Sequence, residues 1–314
     1  MVKPRLISVL RACKCLVAGG LALLTPLGVE QAVAQLPRSW PTLKTLTIPE
    51  TYQGKTVNLR AWLATPNGPG PFSTVILAHG CNGVDPYAHG SGWTSMNVWA
   101  AWLVEQGYAA LILDSFSPRN VASVCGGAMG DPQAHALFKV IPVDIRALDI
   151  YVAADYLAKM PQINPMGFGA IGFSHGGAAV VRAAAADNAV ARSGEAALAA
   201  DHGRIAAFVG MYPGCRRSVH STFVAPLLIL VGSEDVRTPA AVCERLANAP
   251  RALGSPVTIK VYPGATHSFD VEKPERTTRL GDEMRYSGEA TADARNQIKS
   301  FFARYLTGAA TSVQ

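Results

Sequence analysis

The stretch from Gly167 to Val181 constrains the fold of this chain more than any other. A short apolar run at residues 170–173 precedes Ser174, and an alanine-rich segment with high helical propensity follows it. Glycine stands two residues before and two residues after the serine, in the pattern G-x-S-x-G. A strand that reverses sharply into a helix leaves no room for side chains at Gly172 and Gly176. The pattern therefore predicts a strand, a tight turn and a helix, with the serine hydroxyl raised above a sheet.

This turn would also place Ser174 beside the first peptide N–H groups of the following helix. Those donors and the positive end of the helix dipole favour negative charge that develops near the hydroxyl. The arrangement is called a nucleophile elbow, and it is typical of enzymes that attack carbonyl groups with a serine. An ordinary glycine-rich turn is the alternative, and the rest of the chain decides between the two.

The first 34 residues have the pattern of a secretory signal peptide. They begin with four basic residues, continue with a mostly apolar run at residues 15–29, and end in Ala32, Val33 and Ala34, an A-x-A cleavage pattern. Glycine and proline interrupt the apolar run, which is shorter than the roughly 20 residues that span a bilayer. We therefore expect cleavage before Gln35 and a periplasmic or secreted protein without membrane attachment.

Residues 35–314 are predicted to form a single domain, because 280 residues suit one large α/β domain with a well-buried core. The formal charge of +6 includes four basic residues and one acidic residue in the leader, which leaves about +3 for the rest. The basic residues do not cluster with aromatic residues, so no nucleic-acid surface is expected. The spacing of the Cys and His residues does not resemble a zinc site, and no metal is expected.

Apolar, β-branched runs alternate along the chain with helical patterns. Strands are predicted at residues 43–48, 57–65, 73–78, 108–113, 170–173, 205–211, 227–231 and 257–262. Helices are predicted at residues 97–106, 142–160, 195–200, 239–253 and 290–306, with Thr238 as an N-cap and Pro239 as the first residue of its helix. The alternation predicts an α/β fold with a mostly parallel central sheet and helices on both faces. In such sheets the chemistry lies on loops beyond the carboxyl ends of the strands.

Two of these loops carry candidate partners for Ser174. His267 follows the strand at 257–262 and is the candidate base. Asp235 follows the strand at 227–231 and is the candidate acid that orients the base, with its neighbour Glu234 as the alternative. Serine, acid and histidine come in the chain order that belongs to the elbow motif, so the three residues predict a catalytic triad.

A third loop, after the strand at 73–78, reads His79-Gly80-Cys81-Asn82-Gly83. An H-G-x-x-G turn directs backbone N–H groups toward the space above the sheet. The N–H of Cys81 and the N–H of His175, the residue after the serine, are predicted to form an oxyanion hole. His79 itself is expected to be a structural histidine that bonds to the backbone.

Six segments together resemble the dienelactone hydrolase family of α/β-hydrolases. They are H-G-C-N-G, D-S-F-S-P-R, G-F-S-H-G-G, Y-P-G-C, G-S-E-D-V-R-T-P and Y-P-G-A-T-H-S-F-D. The likeness covers about residues 43–306. It implies an α/β-hydrolase fold with Ser174 as nucleophile, Asp235 as acid and His267 as base.

The chain departs from this family in one respect, because dienelactone hydrolases proper use a cysteine nucleophile where this chain has serine. The predicted activity is therefore that of a serine esterase, which cleaves small-molecule carboxylic esters or lactones through an acyl-enzyme. This mechanism needs neither a metal nor an organic cofactor. No oligomeric state is predicted.

Four cysteines lie beyond the leader, and an even number in an exported protein favours disulfides over buried free thiols. Three pairings of Cys81, Cys125, Cys215 and Cys243 are possible. The strand order of the α/β-hydrolase fold, which the resemblance implies, favours Cys81–Cys125 and Cys215–Cys243. The first of these would brace the oxyanion loop.

Two other functions stay open at this point. A serine peptidase of the same fold would resemble the prolyl oligopeptidase group, whose members usually carry a large extra domain that 280 residues are not expected to hold. A non-catalytic binding protein on this scaffold typically lacks a triad member, and this chain has all three. Of the remaining features, the segment 117–140 is expected near the pocket mouth, Trp93 and Phe173 are candidate pocket walls, and the loop 270–287 has no assigned role.

Overall fold

A computed structural model describes residues 39–86, 92–125, 141–250, 253–278 and 281–306. The predicted signal peptide and most of the segment 117–140 lie outside these ranges. Within them, no helix combines the length and the apolar character needed to span a membrane.

In the described part of the chain, eight strands form one sheet and six helices cover it. The strands are β1 (Lys44–Tyr52), β2 (Lys55–Ala64), β3 (Phe72–Ala78), β4 (Ala109–Asp114), β5 (Ile163–Phe173), β6 (Ile205–Met211), β7 (Leu227–Gly232) and β8 (Val257–Tyr262). The helices are α1 (Trp93–Glu105), α2 (Val143–Ala158), α3 (His175–Ala184), α4 (Ala189–Ala200), α5 (Ala240–Asn248) and α6 (Gly288–Tyr305). A two-stranded hairpin, β9 (Arg276–Thr277) with β10 (Glu283–Met284), lies in the loop before α6.

The strand order in the sheet is β1-β2-β4-β3-β5-β6-β7-β8. β1 and β2 form an antiparallel hairpin, β2 pairs antiparallel with β4, and every later pairing is parallel. Ala78 is opposite Gly172, and Phe173 is opposite Met211, so β3, β5 and β6 end at one edge. The loops after these strands therefore meet above that edge, where α/β sheets bind ligands.

Both faces of the sheet are covered, as the alternation of strands and helices predicts. In the central strand β3, Val75 and Leu77 pack with residues of α1 and α6, whereas Ile76 and Ala78 pack with residues of α2 to α5. Adjacent residues of a strand point to opposite faces, so a strand covered on both sides is apolar throughout. Both apolar clusters hold the strand ends, and with them the loops above, in fixed positions.

The buried face of α2 differs from the expected one. The sequence pattern favours a face made of Ile145, Leu148, Val152 and Tyr156, yet only Leu148 of these is fully buried. The helix is packed between β5, α3 and α4, so it is buried nearly all round and includes Arg146 among its buried residues. The sequence gives no sign that Arg146 and Asp149 are buried, because their partners come from distant segments of the chain.

The start of α5 is a second correction. Pro239, predicted as the first helical residue, is the N-cap, and the helix runs only from Ala240 to Asn248. Thr238, predicted as the N-cap, instead turns its hydroxyl toward Asp235 and the carbonyl oxygen of Tyr212. The hydroxyl donates to the Asp235 carboxylate, and a hydrogen bond to a charged acceptor is stronger than one between neutral groups.

Candidate active site

The turn between β5 and α3 has the geometry of a nucleophile elbow. Ser174 has φ 54° and ψ −113°, a strained backbone conformation that non-glycine residues rarely adopt. A Cβ atom on Gly172 would lie 2.1 Å from the carbonyl oxygen of Gly176. A Cβ atom on Gly176 would lie 2.1 Å from the carbonyl oxygen of Ala78. Both glycines are therefore required by the close approach of backbones, and the strained serine projects above the sheet edge.

The structure brings Ser174, His267 and Asp235 into one hydrogen-bonded row. His267 Nε2 lies 2.9 Å from Ser174 Oγ, and His267 Nδ1 lies 2.8 Å from Asp235 Oδ2. Asp235 is 3% exposed and His267 is 5% exposed, so their hydrogen bond is shielded from water. An imidazole with a carboxylate on Nδ1 and a hydroxyl on Nε2 can take the hydroxyl proton.

Backbone and side-chain donors fix the Asp235 carboxylate. Its Oδ1 accepts from the N–H of Arg237 over 2.9 Å and from the N–H of Thr238 over 2.8 Å. Its Oδ2 accepts from the Thr238 hydroxyl over 2.7 Å. The alternative acid, Glu234, is exposed and pairs with Arg285. The structure therefore favours Asp235 over Glu234 as the partner of His267.

Tyr212 follows β6 and contacts His267 and Thr238, although its sequence position alone did not mark it as a candidate. Its ring packs edge-on against the His267 ring with centroids 4.8 Å apart. Its carbonyl oxygen accepts from the Thr238 hydroxyl over 3.0 Å. Thr238 and Tyr212 lie in the R-T-P and Y-P-G-C segments, so a signal for both was present in the sequence.

A buried carboxylate, Asp270, lies three residues after His267. It accepts from Trp99 Nε1 and from the Tyr212 hydroxyl, each over 2.7 Å. Burial raises the pKa of Asp270. Burial of the Tyr212 hydroxyl and the neighbouring Asp270 carboxylate raise the pKa of Tyr212. These bonds tie the loop that carries His267 to α1 and to the loop after β6.

The loop after β3 lies against the elbow. A Cβ atom on Gly80 would be 3.8 Å from Ser174 Cβ, and Cys81 lines the same cavity as Ser174. Cys81 is disulfide-bonded to Cys125, and Cys215 is disulfide-bonded to Cys243, the two pairs that the resemblance implies. The first disulfide therefore anchors the predicted oxyanion loop to the segment after β4.

His79 and His175 are both buried, and both have structural side chains. His79 bonds through its ring to Gly80 O, as a structural histidine is expected to do. Burial, together with the Arg146 guanidinium, holds the pKa of His79 and of His175 well below their usual range. Neither imidazole is therefore a general base, and His175 contributes to the predicted oxyanion hole only through its backbone.

A cavity of about 480 Å³ opens above Ser174 and His267. Its walls include the aromatic side chains of Phe173, Trp99 and Tyr212. Four basic side chains also line it, namely Arg237, Lys273, Arg276 and Arg295. Its size lies within the range of small-molecule pockets, about 300–1,000 Å³.

Of the two predicted wall residues, Phe173 is among the residues that line the cavity and Trp93 is not. Phe173 lines the cavity, whereas Trp93 packs edge-on against Trp62 with ring centroids 4.7 Å apart. Of the described part of the segment 117–140, residues 117–125, none is among the cavity residues. The loop 270–287, to which the sequence assigns no role, supplies one wall through residues such as Lys273 and Tyr286.

Across the described ranges, no group of three or more His, Cys, Asp or Glu side chains is arranged to hold a metal ion.

The model of the dienelactone hydrolase family matches residues 59–306. The chain belongs to the dienelactone hydrolase family. A lactone is a cyclic ester, so this membership confirms the prediction of a carboxylic ester hydrolase. No curated protein sequence is significantly similar to this chain.

Solved structures show the same fold at low identity. A Klebsiella pneumoniae protein assigned to the dienelactone hydrolases is 21% identical with a TM-score of 0.59, over 84% of this chain and 100% of its own. Esterase 2 of Thermogutta terrifontis, phosphonylated by cyclosarin, is 14% identical with a TM-score of 0.61, over 85% and 95%. The acylaminoacyl peptidase of Pyrococcus horikoshii is 14% identical with a TM-score of 0.55, over 85% of this chain but 42% of its own. These likenesses confirm the α/β-hydrolase fold.

Proposed function

We propose that the protein is a serine esterase in which Ser174, His267 and Asp235 form the catalytic triad. The observation that carries the proposal is the pair of contacts of His267, 2.9 Å to Ser174 Oγ and 2.8 Å to Asp235 Oδ2. His267 Nε2 takes the proton of the Ser174 hydroxyl while Oγ attacks the ester carbonyl carbon. Asp235 holds the proton on Nδ1 and stabilises the imidazolium that forms.

The carbonyl oxygen becomes an oxyanion in this step, and the N–H groups of Cys81 and His175 donate to it. Protonated His267 then gives its proton to the leaving alkoxide, so an alcohol departs and an acyl-enzyme remains. A water molecule gives its proton to His267 Nε2 and attacks the acyl carbon. Collapse of the second tetrahedral intermediate releases a carboxylic acid and returns the proton to Ser174 Oγ.

The substrate is a small carboxylic ester or lactone. A cavity of about 480 Å³ with aromatic walls accommodates a short or medium acyl chain. The Thermogutta terrifontis esterase shares the fold over 85% of this chain and 95% of its own length, which supports esters as substrates.

Residues 1–34 are proposed to be a signal peptide, and residues 35–314 a single exported domain. The two disulfides support this, because structural disulfides persist in oxidising compartments outside the cytosol. Expression of the full chain in a bacterium, followed by N-terminal sequencing of the periplasmic protein, is expected to give Gln35 as the first residue. An N-terminus within the first few residues would overturn this proposal.

The activity is tested with p-nitrophenyl esters from acetate to octanoate, comparing the wild type with Ser174→Ala. The exposed Ser193→Ala serves as the matched control. We expect turnover by the wild type and the control, and none by Ser174→Ala. A p-nitroanilide of the best acyl group measures amide cleavage, and faster cleavage of the amide would favour a peptidase.

A fluorophosphonate probe separates a wrong substrate from a wrong mechanism. Labelling of Ser174 without ester turnover would keep the triad and overturn the ester class. If neither labelling nor turnover occurs, the proposal of an enzyme is wrong and a binding protein is favoured.

A further inference from the structure

A buried arginine on α2 contacts both sides of the predicted oxyanion hole. Arg146 is 1% exposed, and its Nη2 donates to His79 O over 2.7 Å. Its Nη1 donates to His175 Nδ1, also over 2.7 Å. One guanidinium therefore joins the loop after β3 to the first residue of α3. These two segments carry the N–H groups of Cys81 and His175.

The His79 imidazole extends this contact to the peptide that carries the Cys81 N–H. The N–H of Ser115 donates to His79 Nε2 over 3.3 Å, so Nε2 is the acceptor and Nδ1 carries the proton. Nδ1 then donates to Gly80 O over 2.7 Å. That oxygen belongs to the Gly80–Cys81 peptide, whose N–H is the predicted donor to the oxyanion. A bond to a peptide oxygen polarises the peptide and strengthens its N–H as a donor.

The same reasoning applies to the other side of the oxyanion hole. His175 Nδ1 accepts from Arg146, so the imidazole of His175 is fixed in one tautomer and one orientation. Because His175 begins α3, a fixed side chain also fixes the direction of its backbone N–H. Arg146 therefore positions the second predicted donor, the N–H of His175, through the His175 side chain and not through a peptide oxygen.

The electrostatics of Arg146 favour a role in the reaction. Burial lowers its pKa to about 10, which still leaves it charged at neutral pH. Its two Nη atoms bond to the carbonyl oxygen of His79 and to a ring nitrogen of His175. Its Cζ atom lies 4.8 Å from the centroid of the Phe116 ring. The carboxylates of Asp149 and Asp114 offset part of the cost of burying this charge, because each favours the charged form of Arg146. A cation held in this way stabilises negative charge that develops at the elbow.

We propose that Arg146 is a positioning residue that holds the two N–H donors of the oxyanion hole in register. The inference rests on the proposed function, because it requires that Cys81 and His175 bind an oxyanion. Arg146 does not touch the substrate and acts through His79, Gly80 and His175. Its removal therefore weakens binding of the transition state and leaves binding of the ground-state ester nearly unchanged.

The test compares Arg146→Met with the matched variant Arg192→Met. Arg192 lies on α4 and also bonds a peptide oxygen and a side chain, Ala183 O and Tyr151 Oη, but at the far end of α3. Both variants are expected to lower Tm. Only Arg146→Met is expected to lower kcat, by about 10- to 100-fold with KM changed less than about 3-fold, because loss of one oxyanion donor costs about 10²- to 10³-fold. Affinity for an aryl trifluoromethyl ketone, whose adduct carries an oxyanion, is expected to fall in proportion to kcat.

Two further variants keep the test decisive if Arg146→Met does not fold. Arg146→Lys retains the charge but bonds fewer partners, and we expect a kcat between those of wild type and Arg146→Met. Arg146→Ala leaves space for a guanidinium ion, and we expect guanidinium chloride at low millimolar concentration to restore part of kcat. The same additive is expected to leave the wild type and Arg192→Met unchanged.

The inference and the proposed function fail in different ways. An active wild type together with an Arg146→Met variant of normal kcat and normal ketone affinity would overturn the inference alone. The inference also fails if Arg192→Met loses as much kcat as Arg146→Met. The wild type could be labelled by the fluorophosphonate and yet cleave no ester. In that case the rates of labelling of Arg146→Met and Arg192→Met are compared in place of kcat. A wild type that is neither active nor labelled would overturn both.

Discussion

The Thr238 hydroxyl lies 2.7 Å from Asp235 Oδ2, the same carboxylate oxygen that lies 2.8 Å from His267 Nδ1. This oxygen therefore receives one bond from the base and one from a residue outside the predicted triad. Thr238 also reaches the carbonyl oxygen of Tyr212, whose ring packs on His267. Thr238 thus connects the acid and the loop after β6 on one side of the imidazole.

The first prediction concerns this threonine. Thr238→Val keeps the shape of the side chain and removes the donor to Asp235 Oδ2. A hydrogen bond to a charged group contributes about 1.5–3 kcal/mol, so we expect kcat to fall by about 10- to 100-fold with little change in KM. Steady-state kinetics with p-nitrophenyl butyrate measures this.

Thr74→Val is the matched control for Thr238→Val. Thr74 is fully buried near the start of β3, and its hydroxyl donates to Phe72 O over 3.2 Å. We expect this variant to lose stability and to retain kcat. Equal losses of kcat in the two variants would mean that Thr238 acts only through stability.

The second prediction distinguishes the two adjacent acids. Asp235→Asn removes the negative charge that stabilises the imidazolium and disturbs the tautomer of His267, so kcat is expected to fall by about 10⁴-fold. Glu234→Gln removes only an exposed pair with Arg285, and we expect kcat within about 2-fold of wild type. Kinetics at one pH for both variants is sufficient. The opposite ranking would make Glu234 the acid.

The sheet could be predicted from the sequence because its strands are short apolar runs bounded by polar turns. β6 and β8 have the predicted bounds, and the sheet edge that carries the site follows from the alternation of strands and helices. Helix ends were harder. α6 begins at Gly288 rather than residue 290, because the Ser287 side chain accepts from the N–H of Ala290 and caps the helix.

The three candidate triad residues could be predicted because each one follows a strand that ends at the same edge. The residues around them could not, because their partners are set by tertiary packing. Trp99 and Asp270 are 171 residues apart in the chain and meet only in the folded protein. Arg146 is one of several charged residues in the helical pattern of α2, and only the packing of α2 against α3 and the β3 loop brings it to the elbow.

The third prediction concerns the two disulfides. The loops that they close span 44 and 28 residues, and the chain-entropy model assigns about 4 kcal/mol of stability to each. We expect similar losses of Tm when either pair is replaced by serine. Only Cys81→Ser with Cys125→Ser is expected to lower kcat, by about 10-fold, because only that bridge holds the predicted oxyanion loop.

The control for the third prediction is Cys215→Ser with Cys243→Ser, measured at a temperature where both variants are folded by circular dichroism. This variant is expected to keep the kcat of wild type. Normal kcat in both double variants would show that the oxyanion loop keeps its conformation without the bridge.

The last prediction concerns Glu50, a buried residue of β1. Its carboxylate bonds Arg119 over 2.8 Å, and Arg119 also bonds Asp149, so two acids share one cation. Burial, with Asp149 beside it, raises the pKa of Glu50 to about 9. The unfolded chain releases this proton near pH 4.5, whereas the folded protein retains it to about pH 9. The contribution of Glu50 to stability is therefore fully present below pH 4.5 and is lost progressively as the pH rises toward 9.

Glu50→Gln replaces the protonated acid with an uncharged group of similar shape. The variant is therefore expected not to lose this contribution to stability as the pH rises. Urea denaturation of wild type and variant from pH 5 to pH 9 is expected to show a difference in the free energy of unfolding that grows in favour of the variant. One titrating group gives at most about 1.4 kcal/mol per pH unit, which is the upper limit of the expected slope. The exposed Glu244→Gln is expected to follow the wild type throughout. Parallel curves for Glu50→Gln and wild type would show that Glu50 is ionised in the folded protein and would contradict this prediction.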